Sequence, residues 1–397
     1  MKVLVVNCGS SSLKYQVFDM TDESVLAKGL VDRVGIPGTT LKHEPAGKDD
    51  VLIKEDMPDH TEAMKMVLEV LVNPEYGCIA DMSEIGAVGH RVVHGGEDFA
   101  TSVVIDDRVK KVIRDCFDLA PLHNPPNLMG IEACQTLMPN VNHVAVFDTA
   151  FHQTMAPANF VYALPYDVYT SYKVRRYGFH GTSHFYVSHR AAKLLGKYYG
   201  FCKIITLHLG NGASMAAIKD GKVISTSMGL TPLEGLVMGT RSGDIDPAIV
   251  FFLMEKLNMD ANEANSYFNK KSGLLGLSGV SNDLRDVLEA ADAGNERAKL
   301  ALDVYCNAIK GYIGKYIAML NGCDCLVFTA GVGENAIDVR EHICKDLDNL
   351  GIKMDSKKNK VRGKEVDVAT EDSKVRIFII PTNEELVIAR DTYNLSK

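Results

Sequence analysis

The sequence has no excess of basic residues, no paired cysteines and no long apolar run. Lysine and arginine number 43 against 51 aspartate and glutamate residues, a net charge of −8, whereas nucleic-acid binding usually requires a basic surface. The apolar run at residues 248–254 is far shorter than a membrane span, and that at residues 3–6 is too short for a signal peptide. We therefore expect no nucleic-acid or membrane partner and a cytoplasmic location.

Several sequence signatures of known chemistry are also absent. The nine cysteines are irregularly spaced and form no CxxC pair, which favours reduced, buried thiols over disulfides or a zinc site. No Gly-Lys pair is followed by serine or threonine, so there is no Walker A loop, and no GxGxxG sequence opens a helix. GxSxG and HExxH are missing as well. Any phosphate-binding loops must therefore be of another kind.

Short runs rich in valine and isoleucine alternate with helical patterns, which favours an α/β architecture. A chain of 397 residues is long enough for two domains. Predicted strands at residues 2–6 and 14–18 flank a Gly/Ser loop, and those at 203–209 and 215–218 flank another. This recurrence indicates a duplicated domain, with a boundary near Thr149.

Three glycine-containing segments follow predicted strands, at residues 7–14, 208–212 and 331–335. Glycine lets the backbone approach phosphate closely, and free amide groups or a helix N-terminus then hold the negative charge. In the first loop Ser10, Ser12 and Lys14 add donors and a cation. One such loop is most often an ordinary turn, but three together favour phosphate binding. We expect the third to lead from a strand at 325–330 into a helix that begins near Glu334.

Arginines beside glycines, and acids after strands, are candidates for a site. Arg91, Arg176 and Arg241 each lie close to glycines, and guanidinium groups bind carboxylate or phosphate oxygens in pairs. A surface ion pair is the alternative for each. Asp148 follows a predicted strand, where α/β proteins often place catalytic groups. Glu384 follows the last strand, either beside a magnesium ion or in the first turn of a helix.

Nine segments together closely resemble the acetokinase family. They are residues 7–14, 90–96, 119–125, 147–152, 176–184, 208–214, 240–247, 328–335 and 382–385, so the resemblance extends over the whole chain. It implies two duplicated ribonuclease-H-like domains (the actin-like ATPase fold) around a central cleft. The first domain would be 1–148, with a C-terminal helix at 383–397 packed on it. The second, nucleotide-binding domain would be 149–382.

The resemblance also implies an activity, a cofactor and an assembly. Members are kinases that transfer phosphate reversibly and in line between ATP and acetate, giving ADP and acetyl phosphate, with Mg²⁺ or with Mn²⁺ in its place. They are homodimers. A propionate or butyrate kinase is the alternative within the family, because a single methylene separates acetate from propionate. An ATP-driven chaperone or filament subunit and a non-catalytic nucleotide-binding module are the alternatives from other classes, and the segments around Arg91 and Arg241 favour the kinase.

Site residues follow from the resemblance, position by position. Arg91 matches the substrate-binding arginine and Asp148 the active-site acid, which we expect to orient the reactants rather than abstract a proton. The transition-state stabilisers are matched by His180 and Arg241, the magnesium site by Asn7 and Glu384, and a nucleotide-phosphate contact by Lys14. The pocket for the acetate methyl is matched by Val93, Leu122, Phe179 and Pro232. The ATP site is matched by His208, Leu209, Gly210, Asn211, Gly212, Asp283, Leu284, Arg285, Gly331, Val332, Gly333, Glu334 and Asn335.

Overall fold

The computed structural model describes all 397 residues. The chain folds into two compact units, which we call unit 1 (Met1–Gln153 with Asn383–Lys397) and unit 2 (Thr154–Thr382). The first segment of unit 1 ends a few residues after the boundary predicted between 148 and 149. None of the helices is both long enough and apolar enough to span a bilayer.

Unit 1 contains one eight-stranded sheet and four helices. Its strands are β1 Lys2–Cys8, β2 Ser12–Asp19, β3 Ser24–Asp32, β4 Thr40–Pro45, β5 Val51–Lys54, β6 Ile85–Val92, β7 Val103–Val104 and β8 Asn142–Phe147. Its helices are α1 His60–Leu71, α2 Asp107–Asp115, α3 Asn124–Leu137 and α14 Glu384–Leu395, with 3-10 turns at Met82–Glu84 and Ala150–Thr154, the last reaching the boundary.

Unit 2 contains one six-stranded sheet and ten helices. Its strands are β9 Lys203–Leu209, β10 Ala213–Lys219, β11 Lys222–Thr226, β12 Cys325–Thr329, β13 Val366–Asp367 and β14 Arg376–Ile379. Its helices are α4 Pro157–Phe160, α5 Tyr166–Tyr172, α6 Gly181–Leu195, α7 Ala248–Leu257, α8 Ala261–Lys270, α9 Gly273–Ser278, α10 Leu284–Asp292, α11 Glu296–Leu320, α12 Ala330–Asn335 and α13 Ile337–Cys344, with 3-10 turns at Tyr199–Phe201 and Asp348–Leu350.

The two sheets repeat one strand order. In unit 1 the order β3-β2-β1-β6-β8 combines an antiparallel three-stranded meander with two strands parallel to β1. In unit 2 the order β11-β10-β9-β12-β14 does the same around β9. The predicted α/β class with duplicated ribonuclease-H-like domains is therefore confirmed. Strands β4 and β5 extend the first meander, and the short β7 and β13 pair antiparallel at the opposite edges.

The central strands are apolar because helices pack on them, α3 and α14 on the sheet of unit 1 and α6 and α11 on that of unit 2. Residues Val3 to Val6 of β1 are each at most 1% exposed. The last helix, α14, packs on β1, β6 and β8 within unit 1. Gly89 of β6 permits this close approach, because a Cβ added there would lie 2.7 Å from Cγ2 of Ile388 on α14.

Two sequence-based assignments of local structure are wrong. Helical periodicity over residues 106–120 predicts a helix to residue 120. The helix α2 ends at Asp115 instead, because the N–H of the buried Cys116 donates to the carbonyl of Val112 and closes the last turn. The glycines 331–333, predicted as a loop, lie inside α12, which begins at Ala330 in a left-handed conformation (φ 64°). A Cβ added at Gly333 would lie 3.3 Å from the backbone of Phe328, a tight contact that glycine avoids.

Candidate functional site

The predicted site residues of unit 1 come from strands that end at the same edge of the sheet. Asn7 of β1 and Lys14 of β2 are directly opposite each other in the antiparallel register, so their side chains share one face. Arg91 lies near the end of β6, which runs parallel to β1. Asp148 follows β8, and its N–H donates to the carbonyl of Val92 on β6. The topology therefore brings the four predicted residues together.

A bidentate ion pair joins Arg91 and Asp148. Nε and Nη2 of Arg91 donate to Oδ1 and Oδ2 of Asp148 at 3.2 and 2.6 Å, and Nη1 donates to Oδ1 of Asn7 at 3.4 Å. The Asp148 side chain is only 2% exposed, against 25% for Arg91. The carboxylate raises the pKa of the Arg91 guanidinium. These bonds use three of the five guanidinium N–H groups, which leaves two for a ligand.

A cavity of about 200 Å³ in unit 1 is lined by Asn7, Lys14, Arg91 and Glu384 together with Glu385. Glu384 opens α14 after the N-cap Asn383, whose side chain accepts from the N–H of Leu386. Burial raises the pKa of Glu384 to about 7, with smaller contributions from Asp148 and Glu385 that Arg91 and Lys14 oppose. The ionised form of the Glu384 carboxylate is thus disfavoured chiefly because the group is buried.

The donor atoms of this cavity fit a hard divalent cation. Asn7 offers a carboxamide oxygen whose bond from Arg91 is long, and Glu384 offers a carboxylate whose ionised form is disfavoured without a further cation. No three His, Cys, Asp or Glu side chains are grouped as a metal cage. Mg²⁺ typically takes one or two carboxylates and completes its shell with water and substrate phosphates, so the pair is compatible with Mg²⁺ that arrives with a nucleotide.

The other predicted residues of unit 1 occupy different environments. Ser10 and Ser12 lie at the turn between β1 and β2, where the N–H of Gly9 donates to the carbonyl of Ser12 at 2.8 Å. Val93 is buried, and its N–H donates to Oδ1 of Asn127 at 3.0 Å. Leu122 is 66% exposed. Of the two apolar residues, only Val93 therefore lies inside the unit, and the pocket role of both stays a prediction.

In unit 2 the predicted transition-state residues surround Gly212. His180 has a left-handed backbone (φ 54°) at the N-terminus of α6, and its ring stacks on that of His208 with 4.1 Å between centroids. A Cβ added at Gly212 would lie 3.3 Å from Nη1 of Arg241 and 3.8 Å from Nε2 of His180. The glycine therefore leaves both side chains open to the same small space.

The Arg241 side chain lies beside Pro232 of the predicted apolar pocket. Its Nη1 donates to the Pro232 carbonyl at 3.3 Å. Burial lowers the pKa of the Arg241 guanidinium, yet an arginine stays protonated at neutral pH. Phe179, the other pocket residue of this unit, is buried and directly precedes His180. Unit 2 thus combines a half-buried cation, a histidine and apolar groups.

The three predicted nucleotide segments meet at one cavity of unit 2. Its volume is about 560 Å³, within the range of about 300–1,000 Å³ usual for small-molecule sites. The predicted residues that line it are Gly210, Asn211, Asp283, Leu284, Arg285, Gly331, Val332 and Asn335. Asp283 caps α10 and pairs with the exposed Arg285, whose guanidinium, with the Arg285 N–H, lowers the pKa of Asp283 to about 2.

Some predicted nucleotide contacts lie away from this cavity. His208 belongs to the histidine stack, and Leu209 is buried in β9. Gly333 packs against the backbone of Phe328, and the Glu334 carboxylate accepts from the N–H of Thr382 at 3.2 Å. Their roles in nucleotide binding stay predictions.

Sequence reasoning missed several residues that line the two cavities. The cavity of unit 2 is also lined by Asn282, Asp338 and Arg362. The cavity of unit 1 is also lined by Gln16 and Lys28. Arg362 directly precedes Gly363, so the arginine-beside-glycine signal that selected Arg91 and Arg241 would have found it. The others carry no comparable local signal.

Comparison with known proteins gives a consistent result along the whole chain. The model of the acetokinase family matches residues 2–390. An acetate kinase of Syntrophomonas wolfei is 81% identical over 397 residues, all of both chains. The crystal structure of Porphyromonas gingivalis acetate kinase superposes with a TM-score of 0.97 at 52% identity over 100% of each chain. A propionate kinase from Francisella tularensis superposes with a TM-score of 0.93 at 41% identity over 99% of each chain.

The family assignment accounts for the repeated sheet, the shared edge of β1, β6 and β8 in unit 1, and the glycine-lined cavity in unit 2. With a family model over nearly the whole sequence and full-length relatives far above 30% identity, the chain belongs to the acetokinase family.

Proposed function

We propose that this chain transfers the γ-phosphoryl group of ATP to acetate, reversibly, to give acetyl phosphate and ADP. The observation that carries the proposal is the Arg91 guanidinium: Asp148 fixes it, and two of its N–H groups remain for a ligand beside Lys14 and Glu384. A carboxylate or a phosphate is the kind of anion that such a guanidinium binds through paired hydrogen bonds. The acetate kinases among the full-length relatives support acetate as that carboxylate.

The acceptor needs alignment rather than activation by a base. A carboxylic acid with a pKa near ~4 is already ionised at neutral pH. Two anions, the acid and the nucleotide, must then be brought together. Arg91 neutralises the acid, and Asp148 uses both carboxylate oxygens to hold that guanidinium, which supports an orienting role for Asp148.

Residues of unit 2 act on the phosphoryl group and the nucleotide. The cavity between the segments around Asn211, Asp283 and Val332 binds the nucleotide. Arg241 and His180 face the space that Gly212 leaves open and stabilise the charge on the oxygens of the phosphoryl group during transfer. Lys14 adds a cation for a nucleotide phosphate.

Asn7 and Glu384 would hold Mg²⁺, with Mn²⁺ as a substitute. The bound ion would neutralise charge on the nucleotide phosphates. The chain's own contribution is the placement of the two oxygen donors, Asn7 on β1 and Glu384 on α14, against one cavity.

The test is ADP release by the purified protein with Mg-ATP, alone and with acetate, propionate or butyrate. We expect strong stimulation that is greatest with acetate. A maximum with propionate or butyrate would keep the chemistry and correct the substrate, an alternative that the full-length similarity to a propionate kinase favours. No stimulation by any acid would overturn the proposal. A homodimer and a cytoplasmic location remain further parts of the proposal, the first testable by light scattering.

A further inference from the structure

We infer that Ser214 is a positioning residue which, with His184 and Thr206 behind it, fixes the orientation and the tautomer of His180. None of these three residues was assigned a role from the sequence. All three are fully buried. The inference deepens the proposed function and rests on it only for its kinetic test.

A continuous row of short hydrogen bonds leads from the core of unit 2 to His180. Oγ1 of Thr206 lies 2.7 Å from Nδ1 of His184, and Nε2 of His184 lies 2.8 Å from Oγ of Ser214. The same Ser214 oxygen lies 2.8 Å from Nδ1 of His180. Thr206 and Ser214 are on the adjacent strands β9 and β10, and His184 is one turn into α6, so rigid elements hold every member.

A second contact fixes the plane of the His180 ring. His208 stacks on it at 4.1 Å with an interplanar angle of 16°, and Nδ1 of His208 bonds to Oγ of Ser183 at 2.8 Å. The stacking restricts the tilt of the His180 ring. The hydrogen bond between Ser214 and Nδ1 restricts rotation of the ring within its own plane. The left-handed backbone of His180 is strained, so these contacts offset a local strain that the site retains.

The single proton of the Ser214 hydroxyl links the states of the two histidines. A hydroxyl donates one hydrogen bond and can accept two, so Ser214 donates to at most one of the two imidazoles and accepts from the other. If Ser214 donates to His180, then His184 carries its proton on Nε2 and His180 carries its own on Nε2. If Ser214 donates to His184, a neutral His180 has its proton on Nδ1 and a lone pair on Nε2.

The first arrangement gives His180 the proton that phosphoryl transfer needs. Nε2 is on the side of the ring near Gly212 and Arg241, where a negatively charged oxygen requires a donor. The distances agree, because the Thr206 hydroxyl then donates to His184 at 2.7 Å, whereas its other acceptor, the Ala216 carbonyl, is 3.5 Å away. Thr206 thus starts a row of donors that ends at Nε2–H of a neutral His180.

The direct test measures the tautomer of His180 in the full-length protein labelled with ¹⁵N-histidine. Protonated and unprotonated ring nitrogens have well-separated ¹⁵N shifts, and His180→Gln assigns the signals. We expect neutral His180 with its proton on Nε2 in the wild type, and a mixture of tautomers in Ser214→Ala. A proton on Nδ1 in the wild type, or an unchanged tautomer in Ser214→Ala, would overturn the inference. This measurement needs no activity, so it stands even if the proposed function fails.

The kinetic test compares Ser214→Ala with Ser188→Ala, a matched control. Ser188 is also a buried serine, hydrogen-bonded to Tyr199 and the Phe185 carbonyl on α6. We expect kcat to fall about 10- to 100-fold in Ser214→Ala, the effect of a lost buried hydrogen bond, with KM for ATP and acid little changed and Ser188→Ala unaffected. In a His180→Ala background the Ser214 substitution should have no further effect. A full additional loss there would show that Ser214 acts independently of His180.

Discussion

The corresponding positions of the two sheets carry opposite kinds of chemistry. In each meander the pair next to the hairpin end faces one side, Asn7 with Lys14 in unit 1 and His208 with Ser214 in unit 2. In unit 1 this position provides an oxygen donor and a cation beside a buried ion pair. In unit 2 it provides neutral hydrogen-bonding groups that hold a histidine in place.

Under the proposed function, the two copies of one fold make different contributions to phosphoryl transfer. Unit 1 pairs formal charges around the cavity to which we assign the binding of an anion and a metal ion. Unit 2 lines the cavity that we assign to a nucleotide with glycines and the first turns of helices, and it adds the half-buried Arg241. A repeated backbone thus sets the positions of the site residues, while the side chains set their chemistry.

The largest effects should come from the two arginines, and they should differ between the units. Arg91→Ala and Arg241→Ala should each lower kcat by roughly 10³-fold, the scale of losing a key electrostatic donor. Arg91→Ala also leaves Asp148 buried and unpaired, which should cost about 3–5 kcal/mol of unfolding free energy. Burial lowers the pKa of the Arg241 guanidinium, so the fold gains little from this cation. The free energy of unfolding should therefore change little in Arg241→Ala. Steady-state kinetics measures the change in kcat, and urea unfolding measures the change in unfolding free energy.

Arg190→Ala is the matched control for these variants, because Arg190 pairs with Glu365 on the surface of unit 2. An exposed pair is worth about 1 kcal/mol or less, and activity should be unchanged. Losses in turnover below a hundredfold in both arginine variants would contradict the site as described.

Asp148→Asn should separate an orienting role from a basic one. We expect kcat to fall about 10- to 100-fold, because one charged acceptor of Arg91 is lost. The shape of the pH–rate profile should stay the same, and the dependence on Mg²⁺ should change. The opposite result, one ionisation missing from the profile with an unaltered Mg²⁺ dependence, would favour proton abstraction.

Metal dependence should be a property of unit 1 alone. Glu384→Gln should raise the Mg²⁺ concentration for half-maximal activity by about tenfold or more, since carboxylates are the ligands that Mg²⁺ prefers. Glu385→Gln is the control, because Glu385 lines the same cavity but matches no metal position of the family. Equal shifts in the two variants would argue against a specific role for Glu384.

Substrate choice should change by a smaller amount. Val93→Ala should improve the use of propionate relative to acetate, because one methylene is worth about 1–3 kcal/mol where space exists. The ratio of kcat/KM for the two acids measures this effect, with Val332→Ala in unit 2 as a control. An unchanged ratio would remove Val93 from the pocket.

The smallest expected effect concerns acid stability, again in unit 1. His90 and His143 are buried and bonded to each other at 3.0 Å, and burial lowers the pKa of both. Their pKa in the unfolded chain is about 6.5, so the unfolded state gains protons first as the pH falls. Stability should therefore be full above pH ~6.5 and decrease below it, by at most about 1.4 kcal/mol per pH unit for each histidine.

Hydrogen exchange at pH 7.5 and 5.5 can assign that loss to unit 1. The variant His90→Asn should show a shallower pH dependence than the wild type. An equal slope in the two proteins would mean that other groups cause the acid sensitivity.

Sequence patterns over a few residues predict the elements of this fold that depend on contacts between neighbouring residues. The two hairpins were found because β-branched runs flank glycine turns, and their recurrence indicated the duplication. The α12 segment was misread because the left-handed Ala330 and the packing of Gly333 depend on tertiary contacts. The row of hydrogen bonds behind His180 joins residues of α6, β9 and β10. Because these elements are separate in the sequence, no residue spacing predicts it.

The position of α14 has a consequence for how the protein is made. Unit 2 is one continuous stretch of sequence, whereas unit 1 is completed only by Asn383–Lys397. Domains generally fold as units during synthesis. Unit 2 can therefore fold before α14 packs on strands β1, β6 and β8 of unit 1. Because Glu384 opens that helix, the proposed metal site of unit 1 is complete only near the end of translation, and an incomplete chain lacks it.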